Sequence, residues 1–378
     1  MKKSLVALAV LAASGAAMAQ SSVTLYGTVD AAFTKYTANN GVSKTGLGNS
    51  QLGSSFIGFR GSEDLGGGMK AEFKLEGGLA NDIGAGKASN SNNQSSGGGA
   101  LAGAQGLAFG RFSHVGLVGS FGEIRLGRDY TSTFQLGVAA VDPFGFNGPA
   151  DASQMLLNLG VKNAQATVSG ASNMIGYITP NVGGFEAKIQ TFYGENASNA
   201  ALGGKAGDGS SVAVRFSNAT TYLSASKMTT KGTVAAATAT AVAANGDYTQ
   251  TGYSASYNFG PAKAIFTRAG ETLVKAAGKS TNDTNEIGLI VPMGAANFKV
   301  AQITSTQNTG VAGAADTKGT LMGVGVDYSL SKRTVAYGTY SRVSNKDGGT
   351  TFSAGNSALG TAANYSSTGL AIGVLHRF

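Results

Sequence analysis

The sequence predicts an all-β protein, a closed antiparallel barrel of sixteen strands that cross a membrane. Three observations carry that reading. Apolar and polar residues alternate with a period of two in segment after segment; the connections alternate between short and long; and the chain opens on an export leader and ends on an aromatic, Phe378. After the leader no stretch approaches the ~20 consecutive apolar residues that a spanning helix needs. With 58 glycines the composition is hostile to helix interiors and suits bending strands and turns. A soluble exported domain would gather its apolar residues into a thick core, whereas here they are spread thinly at every second position.

Taken in order, Lys2 and Lys3, the apolar run Leu5 to Ala13 and the small-residue site Ala17-Met18-Ala19 form the parts of a leader. Residues 1–19 are expected to be a signal peptide and residues 20–378 the barrel. In the first strand Val23, Leu25, Val29, Ala31 and Phe33 share one face, with Thr24, Tyr26, Thr28, Asp30 and Thr34 on the other. Met69, Ala71, Phe73 and Leu75 alternate with the charges Lys70, Glu72, Lys74 and Glu76. Phe185, Ala187, Ile189 and Tyr193 oppose Glu186, Lys188 and Gln190, while Val212, Val214 and Phe216 oppose Arg215 and Ser217. Met322, Val324, Val326 and Tyr328 alternate with Gly323, Gly325 and Asp327, and Leu370, Ile372, Val374 and Phe378 with Gly369, Ala371, Gly373 and Arg377. In a membrane barrel the apolar face meets lipid and the polar face lines the lumen.

Short connections are expected at Glu63 to Gly68, Ser120 to Gly122, Pro180 to Gly184, Ser217 to Ala219, Asn258 to Pro261, Pro292 to Ala296 and Ser329 to Lys332. Long ones are expected at Thr37 to Gln51, Ala80 to Leu107, Tyr130 to Ala171, Glu195 to Asp208, Thr230 to Asp247, Lys275 to Asp283, Gln307 to Lys318 and Asn345 to Asn364. Seven turns and eight loops join sixteen strands, with the turns in the periplasm and the loops outside. Pro180, Pro261 and Pro292 fall in the short turns, where a missing donor costs nothing. The Gly-, Ser- and Asn-rich segment Ala88 to Gly99 and the Ala-rich segment Val234 to Asn245 read as low-complexity loop.

Other chemistries fare badly. No cysteine means no disulfide framework and no thiol chemistry. His114 and His376, the two histidines, are too few for a metal cluster and read as structural, His376 with lipid-side parity. Gly278-Lys279-Ser280 ends like a phosphate loop, but Leu273 stands where the first glycine belongs. Asn218-Ala219-Thr220 and Asn282-Asp283-Thr284 fit a glycosylation acceptor without meaning on this export route. No serine, histidine and acid set suggests an enzyme, and no cofactor or metal is expected. The formal net charge of +8 is mild and its basic residues dispersed, so nucleic acid is no partner. The 13 tyrosines and 18 phenylalanines suit interfacial girdles.

Several segments are similar to the general diffusion porins of β-proteobacterial outer membranes: Ser22-Val23-Thr24-Leu25-Tyr26-Gly27, Gly58-Phe59-Arg60-Gly61-Ser62-Glu63-Asp64-Leu65-Gly66, Phe121-Gly122-Glu123-Ile124-Arg125-Leu126-Gly127-Arg128-Asp129-Tyr130, Tyr177-Ile178-Thr179-Pro180-Asn181, Leu330-Ser331-Lys332-Arg333-Thr334 and the Phe378 end. The resemblance spans essentially the whole mature chain. It implies a cell outer membrane location, a homotrimer, and a third loop folded into the pore. In such porins the loop from Ala80 to Leu107 can reach over a neighbour's wall. Outer-membrane lipid, lipopolysaccharide and the barrel assembly machinery, engaged through Phe378, are the other expected partners. Strand count bears on function independently: about eight strands are filled by their own side chains, whereas about sixteen leave an aqueous channel. Ions and small hydrophilic solutes should diffuse through it, sorted by diameter and by charge at its narrowest point. The alternative is an adhesin or structural barrel acting through its long outer loops, and the third loop discriminates, because a channel needs it to constrict without plugging.

Arg60 shares lumen parity with Gly58 and Ser62 and is placed at the pore wall. Arg111 matches a constriction arginine of the family, but alternation puts it with Val115 and Leu117 on the lipid side unless a bulge or an early strand end redirects it. Glu123 and Arg125 have lumen parity, as do Lys74, Lys188 and Arg215; Arg128 lies past the fifth strand's end. The resemblance implies an acidic third loop facing a basic wall, so Asp142 is expected to oppose Arg60, Arg111 and Arg128 across a transverse field. The competing reading makes Asp142 and Asp151 ordinary turn-capping residues. Phe56 and Gly170 stand where relatives commonly carry two further arginines, so anion preference should be weak.

Overall fold

The computed structural model describes residues 22–87, 106–159, 167–195, 198, 204–232, 245–275, 278–311, 313–357, 359–360 and 362–378. The signal-peptide expectation and the loop segments Ala88 to Gly99 and Val234 to Ala244 fall outside them.

Sixteen strands close into one antiparallel barrel. They are β1 (Ser22–Ala38), β2 (Phe56–Gly66), β3 (Met69–Ala80), β4 (Phe112–Gly119), β5 (Gly122–Tyr130), β6 (Gly170–Ile178), β7 (Phe185–Phe192) and β8 (Gly209–Ser217). β9 (Thr221–Thr230), β10 (Asn245–Asn258), β11 (Lys263–Lys275), β12 (Gly278–Met293), β13 (Ala296–Asn308), β14 (Thr317–Ser329), β15 (Thr334–Lys346) and β16 (Ser366–Arg377) complete it. Each pairs with its neighbours in sequence, and β1 closes on β16 from Thr28↔Arg377 to Ala38↔Ser367. Beyond that ladder Gly27 and Phe378 exchange both backbone hydrogen bonds at 3.1 Å, so the terminal aromatic lies beside the first strand.

The predicted faces hold. Val23, Leu25, Val29, Phe33, Val115, Leu117, Ile124, Leu126, Ile372 and Val374 stand exposed on the outside of the isolated barrel, and their alternating neighbours point inward. A lone barrel bares this band because lipid, not protein, is its solvent. Two expected connections differ. Only residues 276–277 separate β11 from β12, so most of the loop expected from Lys275 to Asp283 is strand; Asn282, Thr284 and Glu286 continue the inward face there. Pro292 lies within the last residues of β12 opposite Asn297, and the turn is Gly294-Ala295.

The first and second long loops also complete the wall. Ser43–Asn49 folds back as a strand on the upper half of β1, whose lower half pairs with β2. Asp30, fully buried, accepts hydrogen bonds from the backbone of Leu52 and Gly53 at 2.6 and 2.8 Å and so holds the returning chain. Ala85–Gly86 pairs with the end of β3 and delivers Lys87, whose backbone N–H donates to the Gly78 carbonyl at 2.8 Å.

The third long loop enters the barrel. Its base is closed by Thr131 N–H donating to the Ser169 carbonyl at 3.0 Å, and it then lies along the inner wall from β7 to β16. Wall side chains hold its backbone in turn: Gln190 accepts from Ser132, Tyr222 donates to Leu136, Ser254 to Gly137, Asn282 and Thr284 to Met155, and Ser341 to Pro149. Every one of these wall groups lies inside, where an unpaired polar group would be costly. The loop's apolar residues Val138, Phe144, Ala150, Ala152, Met155 and Leu156 are buried against the wall, where they make the barrel's main core.

Candidate pore constriction

With the third loop pressed onto one side, the passage runs along the inner faces of β1 to β5. Four charges and four aromatics meet there. Lys74 reaches Glu76 at 2.9 Å, and the Arg111 guanidinium reaches the same carboxylate at 3.1 Å. The Tyr26 hydroxyl donates to Glu76 at 2.7 Å. Lys74 lies over the Phe112 ring at 3.6 Å, Arg60 over Tyr26 at 5.0 Å, and Arg111 over Phe56 at 4.8 Å and Tyr130 at 5.6 Å. Rings supply a negative face to each cation, an attraction on the order of 0.5–2 kcal/mol that rises as water is excluded. Phe56 is therefore the seat of Arg111.

Arg111 faces the lumen because β4 begins only at Phe112, so strand parity does not bind it. Its backbone N–H donates to the Glu76 carbonyl at 3.1 Å and fixes the approach. Arg128 lies within β5 at an irregularity in the pairing with β6 between Gly127 and Asp129, not past the strand's end as expected. Gly127, at φ 129°, produces the break, and Arg128 donates to the Gly110 carbonyl and to Ser172, each at 2.6 Å. A Cβ on Gly170 would sit 3.3 Å from the Arg128 guanidinium. The missing side chain at 170 thus leaves room for this arginine.

Lys87 joins Arg111 and Arg128 around a cavity of about 240 Å³ that Ser54, Ser55 and Tyr130 also line. Sequence reading missed Lys87, since nothing in a loop residue's spacing tells where a two-residue strand will deliver it. Burial, with Arg111 beside it, pushes the Lys87 ammonium below its ordinary pKa. Arg60 opens instead onto a second chamber of about 380 Å³ nearer the turns, shared with Glu72, Lys74, His114, Glu123 and Arg125. Arg125 is held by Glu123 at 2.5 and 2.9 Å and by Asp129 at 2.9 Å, while Arg215 pairs with Glu186 at 3.0 Å.

Two expected residues lie elsewhere than in the water path. Lys188 has lumen parity but is 1% exposed, its ammonium donating to Asp129, the Tyr130 carbonyl and Gln135 at the root of the third loop. Asp142 does not face the arginines. Its carboxylate accepts from the Phe146 backbone at 2.6 Å, capping a turn, and meets the buried Glu286 of β12 behind the loop. The loop lies flat against that wall, and Asp142 is on the face that does so. Burial holds its carboxyl above the ordinary range. Asp151 caps the helical turn Ser153–Leu156, accepting from Ser153 N–H at 2.8 Å, and burial pushes it up to about 6. Both acids thus follow the capping reading. The acid within reach of Arg111 is Glu76.

The sequence matches the Gram-negative porin family model over residues 4–348. Outer membrane porin protein 32 of Delftia acidovorans is 36% identical over 392 residues, covering all of both chains. The major outer membrane protein P.IB of Neisseria meningitidis serogroup B is 41% identical over 134 residues, about a third of each chain. Among solved structures, the anion-selective porin from Comamonas acidovorans aligns with a TM-score of 0.76 at 30% identity, over 95% of this chain and all of that one. The trimer form of OmpT from Vibrio cholerae shares the fold alone, with a TM-score of 0.63 at 16% identity over 95% and 99% of the two chains.

Proposed function

This chain belongs to the Gram-negative porin family, and on that premise we propose that it is a weakly anion-preferring channel whose selectivity is set on the β1 to β5 wall. It is an outer-membrane porin, through which ions and small hydrophilic solutes pass by diffusion. One observation carries the anion preference: the β1 to β5 side of the lumen holds a cavity edged by Lys87, Arg111 and Arg128 with no carboxylate among its lining residues. Three cations concentrated in a low-dielectric wall raise the local anion concentration. A relative named as anion-selective, alike over its full length, supports the same reading. The preference is weak because Glu76 neutralises part of Arg111 and Lys74. We assign the constriction to Arg60, Lys87, Arg111 and Arg128, with Glu76 in place of Asp142 as the acid.

Reversal potentials in a salt gradient test the assignment. The double variant Lys87→Gln with Arg128→Gln should lose most of the anion preference, and an unchanged reversal potential would place the filter elsewhere. The homotrimer, lipopolysaccharide contacts and recognition of Phe378 by the assembly machinery belong to the same proposal; native mass spectrometry of the purified protein decides the first.

A further inference from the structure

Registers across β1 to β5 align two rows of lumen residues in the larger chamber. The upper row runs Thr24, Arg60, Lys74, His114, Gly127; the lower runs Ser62, Glu72, Gly116, Arg125. Most charges here are consumed by partners inside the protein. Lys74 is engaged by Glu76, and Arg125 by Glu123 and Asp129. One charge of each sign is left over. Among the described residues Arg60 has no ion pair and lies over the Tyr26 ring, and Glu72 has no ion pair and only a 3.4 Å contact with the Ser62 hydroxyl. Arg60 stands opposite Lys74, two residues along β3 from Glu72, so the two are diagonal neighbours roughly 7–8 Å apart, within reach of long side chains. A Cβ on Gly116 beside Glu72 would come within 2.8 Å of the Ile124 carbonyl, so only glycine fits between these strands there, and His114, 9% exposed, lines the same chamber.

We propose that this chamber is a transient binding site for small zwitterionic solutes, free amino acids above all, with the carboxylate on Arg60 and the ammonium on Glu72. A fixed cation and a fixed anion, each without an ion pair and set side by side, complement a solute that carries both charges. A simple anion meets Arg60 but is repelled by Glu72, and a simple cation meets the reverse. Arg60, 5.0 Å above the Tyr26 ring, keeps its guanidinium donors for a carboxylate. Thr24, which also lines the chamber, gives a further hydroxyl at the same level. The site is distinct from the basic cavity of Lys87, Arg111 and Arg128, and the inference rests on the channel reading.

Single-channel recording of the purified protein in planar bilayers tests it, with glycine as the probe and acetate and methylammonium, which carry its two charges separately, as controls. Glycine should reduce the ion current saturably, and acetate and methylammonium at equal concentration should not. Arg60→Gln and Glu72→Gln should each weaken the block about fivefold, the size of a solvent-screened charge pair. The double variant should lose no more than the weaker single, since removing one charge already abolishes the pairing. A conducting channel that glycine affects no more than acetate would overturn the site while leaving the channel intact, as would block unchanged in both variants. A protein that forms no channel would overturn both.

Discussion

Arg111 owes its direction to a strand that starts one residue late. Had β4 begun at Arg111, the side chain would have shared the outer face with Val115 and Leu117, where a charge at the bilayer midplane costs about 2–4 kcal/mol. As the residue before the strand it turns inward, onto Glu76, Phe56 and Tyr130. Glu76 is consequently the balance point of the filter, 3% exposed and touched by Lys74, Arg111 and Tyr26. Replacing Glu76 by Gln keeps the shape and removes the charge, so the reversal potential should move toward stronger anion preference. That gain should shrink as ionic strength passes about 0.15 M, where the Debye length falls to ~8 Å. A shift toward cations in Glu76→Gln would refute the role given to this carboxylate. Phe56→Arg, by contrast, adds a charge but removes the ring beneath Arg111, so its increase in anion preference should be smaller than that of Glu76→Gln in the same gradient.

The third loop is positioned by glycines on the inner faces of the strands it crosses. Val138 fits against Gly252 of β10, Pro143 against Gly288 of β12, Phe144 and Ala150 against Gly323 of β14, and Pro149 against Gly369 of β16. A Cβ at each of these four glycines would approach the loop to 2.6–2.9 Å, closer than packed carbons allow. Gly323→Leu should therefore lift the loop and lower single-channel conductance, whereas Gly338→Leu on β15, with open space around its Cβ, should not. Acids under the loop make its seating depend on pH. Asp142 and Asp151 are both raised by burial, so the docked loop binds protons more tightly than a released one. The sign follows: docking is strongest below the ordinary carboxylate range and weakens as pH climbs from about 4 through the value of about 6 at Asp151. Closing events should become more frequent with pH, and Asp142→Asn should flatten that dependence; a pH-independent closing rate would show that the loop is held by its apolar contacts alone. Alternation and connection length made the strands legible in the sequence, because a period of two is a direct image of lipid on one side and water on the other. The seating of the loop was not legible. Gly323 and Gly325 could be read only as polar-face residues, since what a glycine makes room for lies on a segment about 180 residues earlier. Asp142 was misdirected for the same reason: its acidity was readable, but the face on which the loop lies is decided by those slots.

At the scale of the molecule, closure depends on the meeting of the two ends. Gly27 and Phe378 share two backbone hydrogen bonds, and the ring packs where a Cβ on Gly27 would be 2.5 Å away. This last pair extends the ladder between β1 and β16 that removes the sheet's free edges, and an open edge inside a bilayer would strand unpaired backbone groups. The folded barrel's own need for Phe378 is nonetheless modest. Two hydrogen bonds at the end of an eleven-pair ladder stabilise by about 1–3 kcal/mol, and Phe378 is 44% exposed. Deleting Phe378 should accordingly lower the unfolding temperature of barrels refolded in detergent by only a few degrees. If the terminal aromatic is also an assembly signal, the same deletion should reduce the amount of folded porin in cell envelopes far more than it weakens the refolded barrel. Gly27→Val separates the two effects, because it strains the closure while leaving the signal intact. It should match the deletion in detergent yet assemble better in cells, as read from the fraction running as unheated, folded barrel on gels. Equal losses for both variants in both settings would mean that Phe378 acts through the closure alone.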